Sequence, residues 1–177
     1  MNQIVSASLL CILATSVAAA EPSTQPATAP TTAPVVEVQP DGSLLFKAEG
    51  ARVIGYKMHL ENKPEPTLVR WVDNRESITW PKGIAHHGRY EVEITYSCPD
   101  GAGGGFAVAA GAHKVEAHTE PTADWKTYRS LKLSNTLEVL NDNTTLILRA
   151  PNWIDKALMN FRSIKLTPVL EPEKDKK

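Results

Sequence analysis

Residues 89–97 constrain the fold more than any other stretch: Tyr90, Val92, Ile94 and Tyr96 alternate with Arg89, Glu91, Glu93, Thr95 and Ser97. A period of two is the signature of a strand with one buried face. Short apolar runs broken by turn residues recur about every eight to twelve positions from residue 44 onward, with almost no helix-period pattern. Expected strands cover residues 44–48, 52–59, 77–80, 89–98, 105–110, 113–118, 127–133, 137–140, 144–149 and 160–169. This spacing predicts an all-β chain, an antiparallel β-sandwich of the jelly-roll kind.

The turns between the runs support that order. Gly111-Ala112 and Asn141-Asp142-Asn143 are tight-turn sequences. Leu131 and Leu133 share one face, as do Leu146 and Leu148. In the last strand Ile164 and Leu166 fall on one face but Phe161 has the opposite parity, which demands a bulge or a patch covered from outside. Residues 61–74, ENKPEPTLVRWVDN, contain two prolines and are expected to be an exposed loop carrying Trp71.

The stretch SCPDGAGGG places four glycines in residues 101–105. A phosphate cradle would need a helix to start there, with Lys-Ser or Lys-Thr after the last glycine. Phe106-Ala107-Val108 follows instead and the first lysine is Lys114, so the segment joins two strands.

Both ends of the chain differ in character from the middle. Residues 1–20 carry no charged side chain, an apolar run and Ala18 and Ala20 before Glu21, the pattern of a signal peptide. Residues 21–40 begin with EPSTQPATAPTTAPVV, a Pro/Thr/Ala-rich composition that cannot pack a core and is expected to be a disordered linker. The folded domain is expected over 41–170, with a charged tail at 171–177. A secreted or periplasmic location follows from that leader. After cleavage Cys98 alone remains, so no internal disulfide can form. It reads as a small buried hydrophobe or as an exposed thiol pairing between chains. A formal net charge of −1 gives no general attraction for nucleic acid or anionic lipid.

Catalytic patterns are missing. No G-x-S-x-G, H-E-x-x-H or paired C-x-x-C occurs, and Glu91 with Glu93 reads as one solvated strand face. The five histidines lack the spacing of a chelating set. The chain is therefore expected not to be an enzyme. Among the tryptophans, Trp80 alternates with Ile78 and reads as core. Trp71, Trp125 and Trp153 lie in loops, where each is either tucked inward or offered to a ligand. Asn160 either bonds a neighbouring turn or contacts a ligand.

Several short motifs, taken in order, carry a resemblance. They are Ala48-Glu49-Gly50-Ala51 with Gly55, Trp80 followed by GRYEVEITYSC, the glycine-rich turn, Asp124-Trp125-Lys126-Thr127-Tyr128, the strand Leu146-Ile147-Leu148-Arg149 and Met159-Asn160-Phe161-Arg162-Ser163-Ile164-Lys165-Leu166. Over about residues 43–169 the chain resembles the galactose-binding-like β-sandwich of family 6 and family 35 carbohydrate-binding modules, and the C-terminal accessory domains of secreted bacterial fucosidases and sulfatases. The resemblance implies a sugar site in the loops at one end of the sandwich, with Trp125 as one platform, Trp71 facing it and Asn160 as polar anchor; Trp153, an aromatic in a loop, joins them as a candidate ligand contact. It also implies that Glu49 is the candidate ligand of a structural calcium, although no second carboxylate is evident beside it. The resulting expectation is an exported, non-catalytic, lectin-like module that binds a glycan or polysaccharide, alone or beside a secreted enzyme or envelope protein. The alternative is an envelope interaction or structural sandwich with no sugar site.

Overall fold

The computed structural model describes residues 36–62 and 64–170. The expected signal peptide, residues 21–35 of the expected linker and the tail 171–177 lie outside the described residues. The chain forms β1 (Glu37–Val38), β2 (Leu44–Lys47), β3 (Arg52–Ile54), β4 (His59–Glu61), β5 (Thr67–Val69), β6 (Ser77–Ile84) and β7 (Gly88–Ser97). These are followed by β8 (Gly105–Ala110), β9 (His113–His118), β10 (Arg129–Lys132), β11 (Leu137–Val139), β12 (Thr144–Arg149) and β13 (Asn160–Pro168). A single 3-10 turn, Ala48–Gly50, interrupts the described strands.

Two antiparallel sheets result, as the alternation predicts. In the first, β13 is central, with β7 along one edge and β2 and β5 in succession along the other. The far edge of β7 holds β10 and β11, while β1 closes on β2 and β4 on β5. The second sheet has the order β3-β6-β12-β8-β9. Inward side chains of the two sheets meet in one core, which includes Phe46, Val92, Ile94, Phe161 and Ile164 from the first and Ile78, Phe106, Val108, Leu146 and Leu148 from the second. Trp80 sits among them at 1% exposure, as expected. Its ring centroid lies 5.7 Å from those of both Phe46 and Phe161, and its Nε1 donates to the Lys47 carbonyl at 3.1 Å. Edge contacts of this kind, with the indole N–H satisfied, are what a buried Trp needs.

The parity conflict at Phe161 resolves as a bulge. The pairing of β13 with β7 shifts between Phe161 and Ser163, so Phe161 and Ile164 both point inward. A second irregularity lies between β6 and β12, where the register slips over the segment that contains Pro81, which has no N–H to give to a ladder.

Three expectations need correction. Residues 52–59 are not one strand: they break at Gly55, whose φ of +146 suits glycine, and resume as β4. Residues 61–74 are not an open loop, because β4 and β5 form a hairpin and Leu68 pairs with Phe161. The expected linker 21–40 also ends early, since Glu37 and Val38 already pair with Leu45 and Leu44.

Candidate functional site

The strand directions place residues 55–58, 70–76, 98–104, 119–128 and 150–159 at one end of the sandwich. The first sheet passes to the second through the glycine-rich segment. A Cβ on Gly103, which has φ +102, would overlap Thr119 Oγ1, and that hydroxyl accepts from Gly104 N at 2.9 Å. The glycines thus let two loops touch. Cys98, beside them, is 1% exposed, and burial pushes its thiol pKa up. It is the buried hydrophobe of the two alternatives.

Residues 119–128 are fastened to the sheet by side chains. Tyr96 Oη accepts from Glu120 N at 2.7 Å and donates to Glu120 O at 3.1 Å. Thr122 Oγ1 accepts from Cys98 N at 3.0 Å and donates to Asp124 O at 2.8 Å. The Asp124 carboxylate closes the turn by accepting from Lys126 N at 2.8 Å and Thr127 N at 2.6 Å. These bonds, the Lys126 N–H foremost, hold its carboxyl below the usual carboxylate range. Trp125 is thereby fixed at the tip, 38% exposed, with its carbonyl accepting from Ser97 Oγ at 2.8 Å and Asn160 Nδ2 at 3.4 Å.

Trp125 and Asn160 therefore meet, Asn160 bonding the neighbouring turn. They border one hollow of about 320 Å³, whose other walls include Thr67 and Val69 of β5, Tyr128 and Arg162. The Arg162 guanidinium lies 3.4 Å from the Tyr128 ring centroid, and its Nη1 pairs with Glu65 at 2.8 Å. Its Nε is buried without a partner among the described residues. Tyr128 Oη reaches Thr67 Oγ1 at 3.5 Å. Tyr128 and Arg162 were not singled out from sequence, although both stand inside the motifs that carry the resemblance. The chemistry gathered here is an indole face, a phenol ring, an amide and a guanidinium. That combination suits a ring with one C–H face and a rim of hydroxyls.

Trp71 does not face Trp125. At 1% exposure it belongs to the core, and its carbonyl accepts from Leu158 N at 2.8 Å. The preceding residue, Arg70, has φ +60, a left-handed conformation that turns the chain inward after β5. The Trp71 indole Nε1 has no acceptor among the described residues. Trp153 is 83% exposed but borders a different hollow, of about 400 Å³, together with Lys57, Asp73, Arg75 and Ile154. The two hollows share no lining residue.

Glu49 is exposed on the 3-10 turn and borders a third hollow with Lys47, Glu65 and Arg162. Glu65 is already paired with Arg162, and two cations stand where a calcium would need oxygens. Among the described residues no group of three or more His, Cys, Asp or Glu gathers to hold a metal. The side chains around Glu49 do not fit the expected calcium.

No family model matches the sequence, and no curated protein matches it. Solved structures do match. A family 35 carbohydrate-binding module from Clostridium thermocellum is 16% identical, with a TM-score of 0.57 over 72% of this chain and 98% of that one. The chain has the β-sandwich fold of carbohydrate-binding modules. The C-terminal family 6 module of a laminarinase from Zobellia galactanivorans is 18% identical, with a TM-score of 0.56, covering 71% of this chain and 98% of that one. A family 36 module of a multidomain xylanase from the hindgut metagenome of Trinervitermes trinervoides is 11% identical at a TM-score of 0.56, covering 73% and 99%. Among the described residues no helix is long and apolar enough to cross a membrane.

Proposed function

We propose that this chain is an exported, non-catalytic carbohydrate-binding module that seats a sugar ring on Trp125. The observation that carries the reading is the convergence of Trp125, Asn160, Tyr128 and Arg162 on one hollow of about 320 Å³. A half-exposed indole on a backbone held by Ser97 Oγ and by the Asp124 turn loses little entropy when a ligand arrives. The fold supports the ligand class by analogy, since folds host many functions. Export rests on the leader-like sequence of residues 1–20. A non-catalytic role rests on the lack of a catalytic motif in the sequence, and leaves the module to act alone as a lectin or beside a secreted enzyme or envelope protein.

The test is a titration of the chain with neutral, acidic and sulfated glycans while following tryptophan fluorescence. A saturable shift that disappears in Trp125→Ala places the sugar on that loop. Silence across the panel removes the sugar reading and leaves an interaction module of the envelope.

A further inference from the structure

The open edges of the two sheets are not alike. β1 is two residues long with Glu37 bonded to Lys47 at 2.6 Å, and β4 presents His59 and Glu61, which pair at 3.7 Å. β10 carries Arg129 and Lys132, paired with Glu120 and Glu91, and Glu138 of β11 meets His113 of β9 at 3.4 Å. β9 also carries Lys114 and Glu116, bonded to each other. Charged side chains and short length are the usual guards of an edge against another strand.

β3 is as short but lacks the paired charges. It pairs with β6 alone, and no turn or loop backbone bonds its other side among the described residues. Val53, opposite Ile78, packs on the core, while Arg52 and Ile54, opposite Thr79 and Ser77, face outward. Ile54 is 50% exposed, and Arg52 enters no ion pair among the described residues. Such an edge offers N–H and C=O groups to one more strand.

The edge leads into a fixed hollow. Ile54, Tyr56, Lys57 and Arg75 border a space of about 430 Å³. Glu76, 4% exposed, accepts with Oε1 from the backbone N–H groups of Tyr56 at 2.7 Å, Lys57 at 2.6 Å and Met58 at 3.3 Å. A Cβ on Gly55 would overlap the Glu76 side chain, so this tie requires glycine there. Tyr56 is thereby fully exposed on a held backbone, and a peptide along β3 can set a side chain against Ile54 and Tyr56 without first ordering the loop.

Charge selects the peptide. Arg75 donates to Asp73 from Nε at 3.0 Å and Nη2 at 2.8 Å, and Lys57 Nζ lies 3.6 Å from the same carboxylate. The Arg75 and Lys57 side chains are 85% and 54% exposed against 14% for Asp73, and Glu76 is buried, so the cations form the outer layer. Arg52 extends that layer along the strand. A second copy docked edge to edge would set these cations against their own kind, whereas an acidic strand meets them favourably.

We propose that β3 is a docking edge for an extended acidic segment of a partner protein, which joins the five-stranded second sheet as one more strand and seats an apolar side chain between Ile54 and Tyr56. This surface uses no residue of the Trp125 hollow and does not depend on the glycan reading.

The experiment titrates the full chain with a short dye-labelled peptide of alternating Val and Glu, capped at both ends, and follows fluorescence polarisation. Two counterpart peptides carry Lys in place of Glu or an N-methylated backbone. The expected result is binding of the acidic peptide alone, weakened by salt and lowered about ten-fold in Arg52→Glu and in Tyr56→Ala, with Arg52→Lys near wild type. Amide hydrogen exchange is expected to slow in β3 on binding and to stay unchanged in β4 and β9. An acidic peptide that does not bind, a Lys or N-methylated peptide that binds as well, an Arg52→Glu chain that binds as tightly as wild type, or slowed exchange at β4 or β9 instead of β3 overturns the proposal. A chain that binds the peptide but no glycan supports the docking edge and overturns the Trp125 reading, and a chain that binds glycan but not the peptide does the reverse.

Discussion

The two ends of the sandwich are built by different means. At one end residues 39–43, 85–87, 111–112 and 140–143 make short turns, in which left-handed backbone at Gly42, Gly111 and Asn143, with φ of +77, +60 and +56, is joined by two carboxylate caps, Asp41 accepting from Ser43 N at 3.0 Å and Asp142 from His87 N at 2.7 Å. Nothing lies within 4 Å of a Cβ placed on Gly42 or Gly111. At the other end the longer segments are held by side chains reaching backbone groups, from Glu76, Tyr96, Thr119, Thr122 and Asp124. The exposed aromatic side chains of the described residues, Tyr56, Trp125 and Trp153, all stand at that second end. Short turns leave little chain on which to present a ring, whereas the longer loops tied by side chains can hold one in water at a fixed position.

The largest expected effect tests which tryptophans of the loop end are structural. Trp71→Ala empties a site at 1% exposure and is expected to lower stability by about 3–5 kcal/mol in denaturant unfolding. Trp125→Ala, at 38% exposure, is expected to cost about 1 kcal/mol or less while removing glycan binding. Equal costs for the two would mean that Trp125 packs as core and that the comparison within this end is wrong.

The side-chain ties should matter next. Glu76→Ala leaves the N–H groups of Tyr56, Lys57 and Met58 without their acceptor and is expected to cost about 2–3 kcal/mol. Glu76→Gln keeps an oxygen acceptor and is expected to cost less. Hydrogen exchange should accelerate at those three amides in the alanine variant before it does so in β7, and protection that stays unchanged would show that the loop does not depend on the carboxylate.

A pair of glycines compares the ends directly. Gly111→Ala meets open space and only the strain of a left-handed φ, so about 1 kcal/mol is expected. Gly103→Ala adds an overlap with Thr119 to its φ of +102 and is expected to cost about 2–3 kcal/mol. Thermal unfolding of both variants measures the gap, and a Gly111→Ala cost as large as that of Gly103→Ala would erase the distinction.

What the sequence could reveal follows the same division. The strands are regular, so their period of two exposed residues 89–97, the β8–β9 hairpin at Gly111 and even the bulge that Phe161 requires. Loops tied by long-range side chains leave no such period. Glu76 and Tyr56 are far apart in the chain, so the break at Gly55 read as continuous strand, although a glycine inside a strand pattern is itself a sign of a bulge or close approach. Trp71 was misplaced because two prolines suggested an open loop, while Arg70 at φ +60 gave no sign of the inward turn. Trp125 and Asn160 stand in motifs that resemble a known fold and border one hollow, and Tyr128 and Arg162 of the same hollow stand in the same motifs.

The smallest effect is one of pH. Asp41 and Asp142 at the turn end, and Asp73 and Asp124 at the loop end, all have carboxyl groups held below their ordinary range. Ser43 foremost does so for Asp41, His87 for Asp142, Arg75 for Asp73 and the Lys126 N–H for Asp124. A depressed folded pKa contributes stability that is present above the unfolded value, about 3.9, and is lost as pH falls through the folded value. Both ends should therefore loosen together in acid, and stability alone cannot separate them. Glycan affinity can, because Asp124 closes the turn that carries Trp125. Affinity is expected to stay flat from pH 7 to about 4 and to fall below that. In Asp124→Asn the acceptor oxygen remains but no longer titrates, so binding should persist further into acid than in wild type, whereas Asp142→Asn should leave the profile unchanged. If both variants give the wild-type profile, the acid loss of binding arises elsewhere than in the loop that holds Trp125.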